Sequence, residues 1–230
     1  MTRPTLANKP EGPIEVPELV RAFASGNELE AVWRNELGGL TFRGGQRYLK
    51  WNPLGSGVDL EEERARLAWL APRHPVAEVL DFGRDDHGQL LVTRALPGDG
   101  AVTDPWRVRP RDAVRAIAEG LRVLHALPIA DCALVCRWAP ASGVPAQDLV
   151  VVQGDACAPN TIIGEDARFV GHVDLGLLGV ADRWADLAVA SRSLDWNYGP
   201  GWQDEFLAAY GVARDEQRIV QYRALCDQAP

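Results

Sequence analysis

The 230-residue sequence has few cysteines, no long apolar run and a shortage of basic side chains. Its four cysteines, Cys132, Cys136, Cys157 and Cys226, show no C-x-x-C spacing and fall short of the density of a disulfide scaffold. They are read as reduced and buried, neither bridging nor zinc-binding. No stretch reaches the roughly 20 consecutive apolar residues of a membrane span. The segment Met1 to Val20 is interrupted by Pro4, Pro10, Pro13 and Pro17 and lacks the apolar core of a secretory signal. A soluble, cytoplasmic protein with no membrane partner is expected. Lys and Arg total 24 against 32 Asp and Glu, a net charge of −8, which argues against nucleic acid as a partner because phosphate backbones need clustered cations. A cationic ligand suits that balance better. No internal repeat is visible, and no G-x-G-x-x-G occurs.

What is present is an apolar fraction of 47%, enough to bury a substantial core. Strand-like runs cover Glu30–Leu37, Gly39–Arg43 and Arg47–Trp51, with Gly44-Gly45 as a turn between the last two. Asp59 is placed to cap a helix, Glu62 follows three residues on, and Leu60, Leu67 and Leu70 then share a face until Pro72 and Pro75 end it. Two more strands are expected at Ala77–Phe82 and Gln89–Arg94. From Arg111 the period becomes helical, with Val114, Ile117, Leu121 and Leu124 on one side. A further strand pair, Leu149–Val152 and Phe169–Val173, precedes helices at Asp182–Leu194, Gln203–Tyr210 and Asp215–Cys226. Sheet first and helices later is an α+β order.

The chemistry concentrates in Gln153-Gly154-Asp155-Ala156-Cys157-Ala158-Pro159-Asn160 and in Asp174-Leu175-Gly176. Phosphoryl transfer from Mg-ATP needs a carboxylate beside the acceptor hydroxyl and oxygen ligands that hold magnesium against the phosphates. Asp155 and Asn160 stand five apart, the spacing of the base and the magnesium-binding Asn in a kinase catalytic loop, and D-x-G matches the kinase magnesium motif. An Asp followed by an Asn is common in turns, so each piece alone says little. Both together, in this order and each at the end of an apolar strand, say much more.

The loop resembles the H-G-D-x-x-x-x-N loop of the aminoglycoside phosphotransferases, and Gly171–Asp186 (GHVDLGLLGVADRWAD) is similar to that family's D-x-G segment and following helix. The 3′-phosphotransferase group is the nearest in pattern. The likeness extends through Val32–Trp51, Glu61–Leu70, His125–Cys132 and Ser191–Leu225. It implies a two-lobed protein-kinase-like α+β fold: an antiparallel-sheet lobe with one helix over residues 1–94, and a mainly helical lobe over 95–230. It implies ATP- and Mg²⁺-dependent phosphorylation of a hydroxyl on a cationic aminoglycoside, at the 3′ position, by a monomer or weak dimer. Asp155 would be the catalytic base, and Asn160 and Asp174 the Mg²⁺ ligands. Lys50 would contact the α- and β-phosphates with Glu63 as its ion-pair partner. Tyr48, on the same strand face as Lys50, would stack on adenine, and the Thr93 carbonyl and Ala95 amide would pair with its edge. The phosphate-covering loop is expected around Ser25–Ala31. Asp195 and Asp227 are candidates for holding substrate ammonium groups, with Glu205 a further acid of the same kind.

Three departures from the family pattern stand out. Gln153 replaces the usual His, and Leu177 replaces an Arg found in some relatives. The link Ala133–Asp148 is shorter than the family's helical insert, which puts part of the acceptor wall in doubt. Two other readings therefore stay open: a kinase for a different antibiotic or metabolite, and a nucleotide-binding relative with weak catalysis.

Overall fold

The computed structural model describes residues 9–229 except 11, 140, 142, 144, 146 and 147, so the Pro/Ala/Gly-rich stretch Ala139–Ala146 lies partly outside the described residues. The chain is a mixed α+β protein that divides into two compact units, Met1–Trp69 with Ala77–Ala95, and Leu70–Val76 with Leu96–Pro230.

The first unit is built on a five-stranded antiparallel sheet of order β1-β2-β3-β5-β4. Its strands are β1 (Glu30–Arg34), β2 (Leu40–Gly44), β3 (Arg47–Pro53), β4 (Val79–Arg84) and β5 (Gly88–Arg94). β1 stops three residues earlier than its apolar pattern predicts. The Asn35 side chain accepts the N–H groups of Leu37 (3.1 Å) and Gly39 (2.6 Å), a local turn that competes with the ladder. The β2–β3 hairpin turns on Gly45 and Gln46, one residue later than expected, with Gly45 at φ +60° as a two-residue loop requires. One sheet face buries Leu40, Phe42, Leu49, Leu90 and Val92 under Val20 of a short helix α1 (Glu18–Phe23) that the sequence pattern did not reveal. Helix α2 (Leu60–Leu70) is capped as its sequence predicts: Asp59 Oδ1 accepts from Glu61 N at 2.9 Å, while buried Gln89 accepts from Leu60 N at 2.7 Å.

In the second unit, α4 (Pro110–His125) buries Val114, Ile117, Leu121 and Leu124 as its period predicts, and it follows a small strand β6 (Asp99–Gly100) and a helical turn α3 (Asp104–Arg107). Strand β7 (Leu149–Val152) does not pair with Phe169–Val173. It pairs with β10 (Gly179–Asp182), whereas β9 (Phe169–His172) pairs with β8 (Thr161–Ile163). Helices α5 (Trp184–Tyr198), α6 (Gln203–Tyr210) and α7 (Glu216–Asp227) complete the unit, with Leu187, Leu194, Phe206, Leu207 and Ile219 in its core. Gly120 lets α4 approach β9 closely: a Cβ there would lie 2.6 Å from the Phe169 ring and 2.9 Å from His172 Nε2. Beneath that contact His172 stacks on His74, their Nδ1 and Nε2 atoms 3.0 Å apart. Burial lowers the His172 pKa well below its ordinary value and that of His74 to about 4, so both rings are neutral.

Candidate functional site

In the first unit, Lys50 lies on the central strand β3, opposite Thr41 and Leu91. Its Nζ is 2.8 Å from Oε2 of Glu63 on α2, with side chains 20% and 5% exposed. So little exposure shields the pair from solvent screening and fixes the ammonium in one place. Tyr48 stands two residues before it, partly buried, facing Arg43 and Thr93 in the ladder. Ala95 departs from expectation: its N–H donates to the Gln46 carbonyl at 2.9 Å, extending the β3–β5 ladder past Arg47 and Arg94. The amide expected to pair with adenine is thus satisfied by the protein. Ser25–Ala31 also differs, since Glu30 and Ala31 already belong to β1 and the glycine-bearing turn between neighbouring strands is Asn35–Gly39.

In the second unit, β7 delivers the chain into the loop Gln153–Asn160. A buried carboxylate fixes that loop: Asp186, on the first turn of α5 and fully buried, accepts from Gln153 N at 2.6 Å and Gly154 N at 2.9 Å. His125 Nε2 lies 3.0 Å from the same carboxylate, and its Nδ1 lies 2.8 Å from the Tyr210 hydroxyl. Trp138 Nε1 donates to the Gly154 carbonyl at 2.7 Å, so the short link after Cys132 is anchored on this loop. Gly154 itself has φ +85°, and a Cβ would meet the Leu177 carbonyl oxygen at 2.4 Å. Gln153 Nε2 donates to the Val173 carbonyl at 3.1 Å, joining the loop to the residue before Asp174. The amide thus supplies a donor where the family usually has a His.

The loop brings Asp155 and Asn160 together. Asn160 Nδ2 donates to the Asp155 carbonyl at 2.9 Å and to its Oδ2 at 3.1 Å. Val173 N donates to the Asn160 carbonyl at 3.0 Å, continuing the β8–β9 ladder, so Asn160 and Asp174 emerge at adjacent strand ends. Asp174 has φ +59°, in the left-handed region that Asp tolerates better than most residues. With its amide group committed to Asp155, Asn160 offers Oδ1, and Asp174 offers a carboxylate. Two hard oxygen donors fit Mg²⁺, which leaves most of its shell to phosphates and water. No group of three or more His, Cys, Asp or Glu side chains able to hold a metal occurs among the described residues.

The acceptor candidates are each engaged by protein partners. Asp227 is exposed and pairs with Arg192 at 2.5 Å. Asp195 Oδ2 accepts from Gln203 at 2.5 Å, while its Oδ1 is sequestered without a hydrogen-bond partner. Glu205 pairs with Arg111 and Arg115. The residues that sequence reasoning missed are the anchors Asp186, His125 and Trp138. The one signal for Asp186 was a lone acid inside the apolar helical run Ala185–Ala190.

A family model described as phosphotransferase enzyme family matches residues 19–137 and 130–222. The chain is 35% identical over 219 residues to an aminoglycoside 3′-phosphotransferase of Streptomyces fradiae, covering 75% of this chain and 81% of the relative. It is 33% identical over 263 residues to the streptomycin 3″-kinase of Streptomyces griseus, covering 90% and 93%. That alignment is longer than the 230-residue chain, so the relative carries segments with no counterpart here. Among solved structures, the aminoglycoside phosphotransferase APH(3″)-Id of Streptomyces rimosus in complex with ADP and streptomycin superposes with a TM-score of 0.72 at 28% identity, covering 90% of this chain and 95% of the other.

Proposed function

The chain belongs to the phosphotransferase enzyme family, and we propose that it moves the γ-phosphate of ATP onto the 3′-hydroxyl of an aminoglycoside, conferring resistance. The observation that carries this reading is the Asp155 carboxylate, held by Asn160 in a loop whose backbone is fastened to buried Asp186. A carboxylate so fixed can orient an acceptor hydroxyl and take its proton as the phosphoryl group arrives. Lys50, immobilised by Glu63, supplies a point charge for the α- and β-phosphates, and Tyr48 a ring for adenine. Asn160 and Asp174 would hold Mg²⁺, which when bound offsets the charge on the phosphate oxygens.

The relatives' names support the acceptor class, and the net charge of −8 is compatible with a cationic substrate. Asp227 can exchange Arg192 for a substrate ammonium, whereas Asp195 would first have to leave Gln203. A cytoplasmic location, where ATP is available, is part of the same reading, and no helix of the described residues is long and apolar enough to cross a membrane. The test is incubation of the purified chain with Mg-ATP and kanamycin, neomycin or streptomycin, with the product's phosphate located by ³¹P NMR. Phosphate on the 3′-oxygen of kanamycin is expected. Transfer to streptomycin alone would refute the 3′ assignment, and transfer to none of the three would refute the acceptor class.

A further inference from the structure

We infer that Trp138 is a positioning residue for phosphoryl transfer: its indole N–H, brought in by the short link after Cys132, holds the peptide plane from which the Asp155 side chain springs. The inference rests on the reading of Asp155 as the base. The link is fastened along β10, since Val135 bridges Val180 in parallel and Val180 N donates to the Leu134 carbonyl at 2.9 Å. Gly179 permits this approach, for a Cβ there would lie 2.2 Å from Cys136 N. β10 is the antiparallel partner of β7, the strand that leads into the Gln153–Asn160 loop. From this footing the link turns the Trp138 ring inward, only 8% exposed, and its Nε1 donates to the Gly154 carbonyl at 2.7 Å. That carbonyl belongs to the plane joining Gly154 to Asp155. The plane before it is fixed by Asp186 through Gly154 N, and the plane after it by Asn160 through the Asp155 carbonyl. Rotation of the plane between them would swing the Asp155 Cα–Cβ bond. Gly154, at φ +85° and without a Cβ, resists such rotation least, and the Trp138 bond supplies the restraint.

Trp138→Phe, a benzothienyl analogue at position 138, Ile219→Val and Asp155→Asn, each in the full chain with kanamycin and ATP, test this. The analogue puts sulfur in place of the indole N–H at nearly the same size, so it removes the donor alone. Both changes at Trp138 should lower kcat by about tenfold, between the loss of one neutral hydrogen bond and the ~10²-fold cost of a 1 Å displacement. KM for kanamycin and for ATP should hold within about twofold. Ile219→Val, a change in the buried core, should lower the melting temperature by about 2–4 °C and leave kcat alone, which separates positioning from general destabilisation. In an Asp155→Asn background Trp138→Phe should cost nothing further, because it acts through the group already removed. A kcat within about twofold of native in the benzothienyl variant, an undiminished loss in the Asp155→Asn background, or a loss confined to the kanamycin KM overturns the inference. If Asp155→Asn keeps full activity, the base assignment falls and the inference with it. Loss in Asp155→Asn beside native kcat in both Trp138 variants defeats the inference alone.

Discussion

Replacing Asp186 by asparagine keeps the shape of the residue that fastens the Gln153–Asn160 loop and removes its charge. In the native fold the carboxylate accepts two backbone N–H groups, at 2.6 and 2.9 Å, and faces His125 Nε2 at 3.0 Å, all out of contact with water. An asparagine has one acceptor oxygen, so its NH₂ must face either Gly154 N or, in the place of Oδ2, both Gln153 N and the His125 nitrogen. One buried donor then loses its partner, at a cost of about 1–3 kcal/mol, and the bond that remains loses its charge assistance. The sum is a destabilisation of about 2–4 kcal/mol, which a domain of ordinary stability survives. The catalytic effect should be larger than the folding effect suggests, because Gln153 and Gly154 immediately precede Asp155 and displacements near 1 Å cost up to about 10²-fold in rate. Urea unfolding gives the first quantity and steady-state kinetics the second. An unchanged unfolding midpoint together with kcat within about twofold of native would refute the account.

Asp155→Ala should reduce kcat by about 10²–10⁴ while nucleotide affinity changes by no more than a few fold; a loss below tenfold would remove Asp155 from the chemistry. Asp174→Asn should raise the magnesium concentration needed for nucleotide binding, since it trades an anionic oxygen for an amide and Asn also accepts φ +59°. Metal titration with a fluorescent nucleotide checks this, and an identical titration in both proteins contradicts it. The buried His pair predicts acid sensitivity. With His74 lowered from 6.5 to about 4, the unfolded chain binds the extra proton, so stability is fully present above pH 6.5 and declines as pH falls toward 4. His74 contributes about 3 kcal/mol to that decline. Denaturation at pH 7 and 4.5 should show a shallower fall in His74→Leu than in the native protein.

Elements whose own periodicity determines them were legible in the sequence. Leu60 and Leu67 of α2, and Val114 to Leu124 of α4, occupy the faces that their spacing implies. Partner choice was not legible, because nothing in Leu149–Val152 says whether it meets Phe169 or Gly179. The true partner, Gly-Val-Ala-Asp, is too short and too poor in branched residues to announce a strand. At the site, the spacing of Asp155, Asn160 and Asp174 was legible because the proposed chemistry needs those side chains themselves at fixed positions. Asp186 and Trp138 act on backbone atoms of the loop, and that role has no fixed spacing from the motif.

The close approach at Gly120 limits how the protein can be engineered. Exchanging a mid-helix glycine for alanine is a standard route to a more heat-resistant variant and ordinarily gains up to about 1 kcal/mol. Here the added methyl would enter the Phe169 ring at 2.6 Å, and the ring is wedged beside His172 and His74. Any relief must push β9 outward, and β9 runs directly into Asp174. A consensus-guided stabilisation library should leave position 120 as glycine, for a methyl group there would exchange helix propensity for a displaced strand two residues before Asp174.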